Sequence, residues 1–231
     1  MRVEKLVLVF LLFSILYADN PIYITFLWHM HQPIYITYDE PYTTINCNGI
    51  CGGPTFGFSL FDMWVMKANA YKTWPVDAIE LGLSLPHLGT QLNLSGSLIE
   101  SMNNLDFRDW NGDMYGNWKS RLLYGRTLLT AYGNKRLDIV AFPYHHPIIG
   151  LIWNKDIELQ IACHRKIYLD TFGSPYSRGL FPPETGFSMR TIPALVNQGI
   201  NWVIVDNIHL FRALVDYPWT GASGVVEPNK A

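Results

Sequence analysis

The chain has 231 residues, with 17 Lys and Arg against 19 Asp and Glu, so its formal net charge is −2. This balance gives no strong electric field that would draw the protein to nucleic acid or to an acidic membrane surface. Hydrophobic residues make up 49% of the chain and charged residues 16%, which excludes intrinsic disorder. Aromatic residues reach 14%, and their flat side chains suit sugars and other ring-shaped ligands as well as a core.

The first 18 residues have the pattern of a secretory signal peptide. Two basic residues are followed by an apolar run, Leu6–Leu16, that is shorter than the roughly 20 residues a bilayer span needs. Ala18 is an acceptable residue before a cleavage site. The sequence therefore predicts a secreted or extracytoplasmic protein whose folded domain covers residues 19–231. An uncleaved segment that anchors the protein to a membrane is the alternative.

Three cysteines are consistent with export. Cys47 and Cys51 flank a short Gly-rich loop and are predicted to pair if the protein is exported. Cys163 lies in a helical pattern and is predicted to be a buried, apolar, reduced thiol.

Short apolar runs alternate with longer helical patterns along the chain. The runs predict buried strands at residues 22–28, 88–94, 138–142, 179–181 and 201–205. The patterns predict helices at residues 58–71, from 97, 118–132, 154–171 and 192–198. Within them, Leu122, Leu128 and Leu129 are expected to face inward, and Asn154 is expected to cap its helix. This alternation is typical of an α/β fold with a parallel sheet, closer to part of a (β/α) barrel than to a sandwich or a bundle.

Polar or ionisable residues follow each predicted strand. These runs are residues 29–33, 95–97, 143–147, 182–186 and 206–209. Because the carboxyl ends of parallel strands form the ligand-binding face of such folds, we expect all five runs to lie on one rim.

Glu184 is the most prominent of these residues. Pro182 and Pro183 keep the chain before it extended and prevent a helix from forming there. A carboxylate presented in this way can act as a nucleophile or a base. A glutamate in the first turn of a helix, stabilised by the helix dipole, explains the same pattern. The residues alone leave both interpretations open.

Histidines dominate two of the other runs. Of His29 and His31, we expect His31 to face the ligand and the other to pack against protein. A His-x-His pair at a strand end can instead bind a metal. Only one of His145 and His146 is expected to face the pocket. Asp206 is consistent with an active-site group, a helix cap or a turn residue.

Several tryptophans and one tyrosine are candidates for stacking on a sugar, or for the core: Trp28, Tyr35, Trp153 and Trp202. Asn93 begins a glycosylation sequon, but it falls at a predicted buried strand end, which argues against its modification.

Three motifs in this order resemble glycoside hydrolase family 57. His31-Gln-Pro after the first strand is similar to its first characteristic region. The segment Asp138-Ile-Val-Ala-Phe-Pro-Tyr-His-His146-Pro resembles the second, and Gly179-Leu-Phe-Pro-Pro-Glu184 resembles the third. The resemblance covers residues 22 to 209.

The resemblance implies a distorted (β/α)7-type barrel and retaining cleavage or transfer at α-glucosidic bonds of starch, glycogen or maltooligosaccharides, with no metal or organic cofactor. Glu184 would be the nucleophile, and His31 and His146 would line the subsite of the sugar under attack. We expect Trp28, Trp153 and Asp206 to contribute to substrate binding.

The acid/base aspartate of that family belongs to a region beyond the nucleophile, and no segment after Glu184 matches it. We therefore expect the chain to be an N-terminal portion of the catalytic domain, with an incomplete barrel and no activity by itself.

Two other functions compete with this interpretation. A metal-dependent barrel hydrolase would use His29, His31, His146 and Asp206 as ligands. A non-catalytic glucan-binding protein would explain the missing acid/base residue.

Overall fold

The structure is a computed structural model, and it describes residues 24–33, 60–207 and 209. The predictions for residues 1–18, Tyr35, and Cys47 and Cys51 fall outside these residues.

Five short parallel strands lie side by side, and their order in space is the same as their order in the sequence. Their bounds are β1 Leu27–Met30, β2 Thr90–Leu94, β3 Leu137–Ile139, β4 Gly179–Leu180 and β5 Trp202–Val203. The first three form one sheet in the order β1-β2-β3, and β4 pairs with β5 in a second. A parallel bridge between Ala141 and Leu180 joins the segment after β3 to β4. All five predicted strands are present, each shorter than its apolar run.

Seven helices connect or flank these strands in the described part of the chain. They are α1 Leu60–Lys72, α2 Trp74–Leu81, α3 Gly96–Phe107, α4 Trp110–Asp113, α5 Ser120–Gly125, α6 Asn154–Phe172 and α7 Ile192–Asn197. Three single 3-10 turns occur at Ile149–Leu151, Pro183–Thr185 and Met189–Thr191. The result is the predicted α/β fold, in which parallel strands are linked through helices.

The core lies in two clusters on the sheet. The larger is built on β1 to β3 and contains the fully buried rings of Trp64, Tyr115 and Trp118. The smaller lies between β4, α6 and α7 and includes Ile161 and Leu180. These clusters account for the high apolar and aromatic content of the sequence.

The predicted helix at 118–132 is wrong in its second half. Helix α5 ends at Gly125, and Leu129 then forms an antiparallel bridge with Lys135 across a turn in which Gly133 has φ +77°. Leu129 is 55% exposed rather than inward. A turn that needs a positive φ selects glycine, so Gly133 belongs to a hairpin and does not end a helix. Helix α2 was not predicted.

Two predictions for α6 are also wrong. The N-cap of the helix is Trp153, and Asn154 is its first helical residue. Cys163 is exposed, not buried. The buried residues of α6 include Ile157, Ile161 and His164, and Cys163 falls one residue off this stripe because a helix turns by about 100° per residue.

In the described residues, no helix combines the length and the apolar character that crossing a membrane requires.

His164 connects α6 to the sheet. Its Nε2 lies 2.9 Å from the backbone oxygen of Leu94 at the end of β2, and its Nδ1 lies 2.8 Å from the hydroxyl of Tyr176. The carbonyl only accepts, so Nε2 donates to Leu94 and Nδ1 accepts from Tyr176. Burial lowers the pKa of His164 to about 4, although the Leu94 carbonyl opposes this shift. The ring is therefore neutral near pH 7.

Replacement of His164 by Phe is expected to destabilise the fold by about 1–3 kcal/mol at pH 7, because the buried Leu94 carbonyl and the half-buried Tyr176 hydroxyl both lose their hydrogen bond to His164. Between pH 6.5 and 4 the unfolded chain binds a proton at His164 that the folded protein does not, so wild-type stability falls as pH falls through this window. His164→Phe removes this contribution and should give a flatter pH dependence. Urea unfolding at several pH values measures both effects.

Tyr176→Phe is the matched control, since it removes one of the two hydrogen bonds and keeps the titrating ring. It should cost less and retain the wild-type pH slope. An unchanged slope in His164→Phe would contradict the assignment.

Candidate active site

The site lies at the carboxyl ends of the parallel strands, as the sequence predicts. His29 and His31 come from the end of β1, Asn93 and Ser95 from the end of β2, and His146 from the segment after β3. Glu184 follows β4. Parallel pairing places these strand ends on one edge, which brings together residues up to 155 positions apart in the chain (184 − 29).

The ends of β1 and β2 are cross-linked by two side-chain pairs. The strands pair in register with His29 opposite Asn93. The Nδ1 atom of His29 lies 3.2 Å from Oδ1 of Asn93, and Nδ1 of His31 lies 2.9 Å from Oγ of Ser95. In both pairs Nδ1 faces β2, which leaves Nε2 of each ring for the site.

His146 contacts both histidines of β1. Its Nε2 is 3.3 Å from Nε2 of His29, and its ring centroid is 4.4 Å from that of His31. The expectation that only one histidine of the β1 pair faces the site is therefore wrong. Residues i and i+2 of a strand lie on the same face of the sheet, so His29 and His31 are presented together.

Glu184 faces His146 from the other side of the site. Its Oε1 lies 3.5 Å from Nε2 of His146, and its side chain is 69% exposed. The backbone at Glu184 has φ +55° and ψ +26°, a left-handed conformation that non-glycine residues rarely adopt. Pro182 is extended before it, and Thr185 also has a positive φ. A strained backbone at an exposed carboxylate is typical of functional sites, where the surrounding structure maintains the strain.

The pKa values of His29 and His31 are both lowered from the usual range of histidine. Burial, together with the neighbouring His146, His29 and His145, lowers the pKa of His31 to about 4. Burial also lowers the pKa of His29, while Asn93 and Glu184 oppose this shift. At neutral pH the ring of His31 is therefore uncharged.

Two phenylalanines support the histidines. Phe142 and Phe181 stack at a centroid distance of 6.1 Å, and the His29 ring lies 5.4 Å from the first and 5.1 Å from the second. These rings follow β3 and β4, so the strands that carry His146 and Glu184 also supply the apolar wall beside His29.

Of the neighbouring histidines 145 and 146, only His146 joins the site, as predicted. His145 turns away and, together with Cys163 of α6, lines a separate cavity of about 510 Å³.

The other residues predicted for the site come from β1, the start of α6, β5 and the segment after β5. Trp28 packs against the larger hydrophobic cluster, and alternation along β1 puts it on the opposite face from His29. Trp153 is 81% exposed at the start of α6. Asp206 is half-buried beyond β5, where its carbonyl accepts a hydrogen bond from the His209 N–H. The indole of Trp202 covers Gly179, where a Cβ would lie 1.9 Å from the ring.

Ser95 belongs to a run that the sequence places on this rim, whereas Asn93, which contacts His29, was not predicted to lie there. The signal was present, since a residue two positions before Ser95 in a strand must share its face. Asn93 is fully buried, which bears out the argument against its glycosylation. No group of three His, Cys, Asp or Glu side chains within residues 24–33, 60–207 and 209 is arranged to hold a metal ion.

Comparison with known proteins identifies the family. The family described as glycosyl hydrolase family 57 matches residues 62–224. The chain belongs to glycosyl hydrolase family 57. An α-amylase from Niallia circulans is 33% identical over 179 residues, which cover 71% of this chain and 14% of that enzyme. The family that the three sequence motifs resemble is thus confirmed.

A solved structure of a family 57-type enzyme shares the fold. A family 57-type branching enzyme from Pyrococcus horikoshii has a TM-score of 0.50 at 17% identity, covering 82% of this chain and 42% of its own. A 4-α-glucanotransferase from Thermococcus litoralis has a TM-score of 0.48 at 21% identity, covering 80% of this chain and 22% of its own. The chain therefore spans well under two thirds of the length of each of these relatives.

Gly96 sets the position of the segment that carries His146. A Cβ at Gly96 would lie 2.4 Å from the ring of Tyr144, whose carbonyl accepts a hydrogen bond from the Ser97 N–H. We expect Gly96→Ala to displace this segment, destabilising the protein by roughly 1–3 kcal/mol as overpacking does. Chemical denaturation measures the loss.

Gly150→Ala is the control, because the nearest atom to its added Cβ is Cβ of Ser188 at 3.8 Å, an ordinary contact. It should change stability by no more than about 0.5 kcal/mol. Equal stability of the two variants would contradict the proposed role of Gly96.

Proposed function

We propose that this chain forms part of the catalytic centre of a retaining enzyme that cleaves or transfers α-glucosidic bonds, with Glu184 as the nucleophile. The observation that carries the proposal is the position of Glu184, which lies exposed after a parallel strand with its carboxylate 3.5 Å from His146. Membership of glycosyl hydrolase family 57 supports the reaction class, and the names of its relatives support an α-glucan as substrate.

The chemistry follows from the residues at this edge. The Glu184 carboxylate attacks the anomeric carbon, the bond to the leaving oxygen breaks, and a covalent glycosyl-enzyme forms. Attack by water, or by the hydroxyl of another sugar, then releases the glycosyl group with retained configuration. His146 holds the carboxylate from one side, and the neutral His31 forms a hydrogen bond with the sugar in the same subsite.

A retaining reaction also needs a second carboxyl group about 5–5.5 Å from the first, to protonate the leaving oxygen and then to take the proton from the attacking water or hydroxyl. We propose that a residue outside the described part of the chain supplies it, and that Asp206 and Trp153 line the binding site. On the same basis, we propose that the five strands, adjacent in chain order, belong to a distorted (β/α)7-type barrel.

Glu184→Gln in the full-length protein should lower kcat on maltooligosaccharides by on the order of 10³-fold or more, because the amide keeps the shape but loses the nucleophilic charge. Substrate binding, measured by calorimetry, should persist. NMR of the first products should show that wild type retains the anomeric configuration. The control is Glu158→Gln on α6, where the carboxylate accepts a hydrogen bond from Asn197; it should leave kcat unchanged.

Other outcomes favour the competing functions. Turnover that survives in Glu184→Gln and requires added zinc or manganese would indicate a metal-dependent hydrolase. Wild-type protein that binds maltooligosaccharides without cleaving them would indicate a non-catalytic binding protein.

We also propose that residues 1–18 direct export of the protein. The basic start, the short apolar run and Ala18 support this proposal. Expression in a bacterial host, followed by N-terminal sequencing of the exported protein, should find Asp19 as the first residue. Intact protein recovered with the membrane fraction would favour the anchor instead.

A further inference from the structure

We infer that Ser95 and Ser97 form a one-directional hydrogen-bond relay that fixes His31 in its Nδ1–H tautomer and makes its Nε2 an obligatory acceptor. The two serines are thus positioning residues for the site described above. The relay depends only on the geometry of these residues, and only its effect on glucan binding rests on the proposed function.

The direction of the relay is set at its far end. Oγ of Ser97 lies 2.6 Å from the backbone oxygen of Gln32. A carbonyl oxygen has no hydrogen to give, so the Ser97 hydroxyl donates to it. A hydroxyl has one hydrogen, and that of Ser97 is thereby used. Towards any other partner, Ser97 can only accept.

Ser95 is the next member of the relay. Its Oγ lies 3.1 Å from Oγ of Ser97, and because Ser97 can only accept, Ser95 donates across this contact. Oγ of Ser95 also accepts from the backbone N–H of Leu98, as the N-cap of α3. Its hydrogen and one of its two lone pairs are then occupied, and one lone pair remains.

His31 completes the relay. Its Nδ1 lies 2.9 Å from Oγ of Ser95, which has only a lone pair left to offer. Nδ1 therefore carries the hydrogen and donates, and Nε2 of the neutral ring carries the lone pair. In the opposite arrangement Ser95 would donate to Nδ1, and the two serine oxygens would face each other at 3.1 Å with no hydrogen between them.

Burial makes this difference decisive. Both serines are fully buried, so water does not replace a lost partner, and an unsatisfied buried hydroxyl costs about 1–3 kcal/mol. The protonation state agrees with the relay, since burial and the neighbouring histidines hold the pKa of His31 near 4. The ring is therefore neutral at physiological pH and has a single tautomer.

The tautomer has a consequence for ligand choice. An Nε2 lone pair accepts hydrogen bonds from sugar hydroxyls, and it is repelled by the oxygens of carboxylates and phosphates. His31 therefore selects a neutral, hydroxyl-bearing ligand at this position, which is the chemistry of an α-glucan.

The test is the tautomer of His31, measured by long-range ¹H–¹⁵N correlation NMR on protein labelled with ¹⁵N-histidine at pH 7. His31→Asn identifies the resonances. Wild type should show a protonated Nδ1 and an unprotonated Nε2. In Ser97→Ala the Ser95 hydroxyl is released to donate to Nδ1, and the two nitrogen signals should exchange their characteristic positions.

Ser101→Ala is the matched control. Ser101 lies on the same helix, is equally buried and donates to the backbone oxygen of Ser97, but it has no place in the relay. It should leave the His31 tautomer unchanged, and Ser97→Thr, which keeps the hydroxyl, should as well. In the active full-length protein, Ser97→Ala should raise KM about tenfold, equivalent to roughly one hydrogen bond.

Each alternative result overturns the inference. A wild-type His31 with its proton on Nε2, or with averaged signals of two tautomers, would exclude the relay even if no variant folds. An Nδ1–H tautomer that persists in Ser97→Ala would show that the serines do not set it. Because the NMR measurement needs no substrate, it holds whether or not the protein cleaves glucans.

Discussion

The register between β1 and β2 is the constraint on which the site depends. It places His29 opposite Asn93 and carries His31 to the hydroxyl of Ser95. A shift of one residue would turn both histidines to the opposite face of the strand. The apolar residues that alternate with them, Trp28 and Met30, pack against the larger core cluster and so fix the register. Hydrophobic burial on one face thus determines the hydrogen bonding on the other.

The carboxyl end of β2 supports the site through two helices as well as through its own side chains. Ser95 ends the strand, caps α3 and holds His31, while the Leu94 carbonyl beside it accepts a hydrogen bond from His164 of α6. Both helices are thereby attached to the point where the site begins. His164, buried and neutral in α6, thus binds the end of the strand whose next residue, Ser95, contacts His31. The pKa values of both histidines are near 4.

The conformation of Glu184, unlike that of the buried residues at the end of β2, is unfavourable for stability. Its left-handed backbone is unfavourable for a residue with a side chain, and its carboxylate is exposed instead of packed. The two prolines before it are buried, and β4, which precedes them, is paired with β5. Glu184 lies in the single 3-10 turn Pro183–Thr185, but its backbone is left-handed, so no regular helical turn presents its carboxylate to His146.

The sequence by itself determined the alternation of strands and helices, the polar residues at the strand ends and the family, because apolar periodicity and short motifs are local properties. The sequence analysis wrongly continued the helix past Gly125, where a turn ends it, and wrongly predicted Cys163 to be buried. On a helix, a step of one residue is enough to move a side chain from the buried face to the exposed face. Only the tertiary structure paired His29 with Asn93 and His31 with Ser95, and brought Glu184 to His146. Such contacts depend on strand register and loop conformation, which distant packing sets.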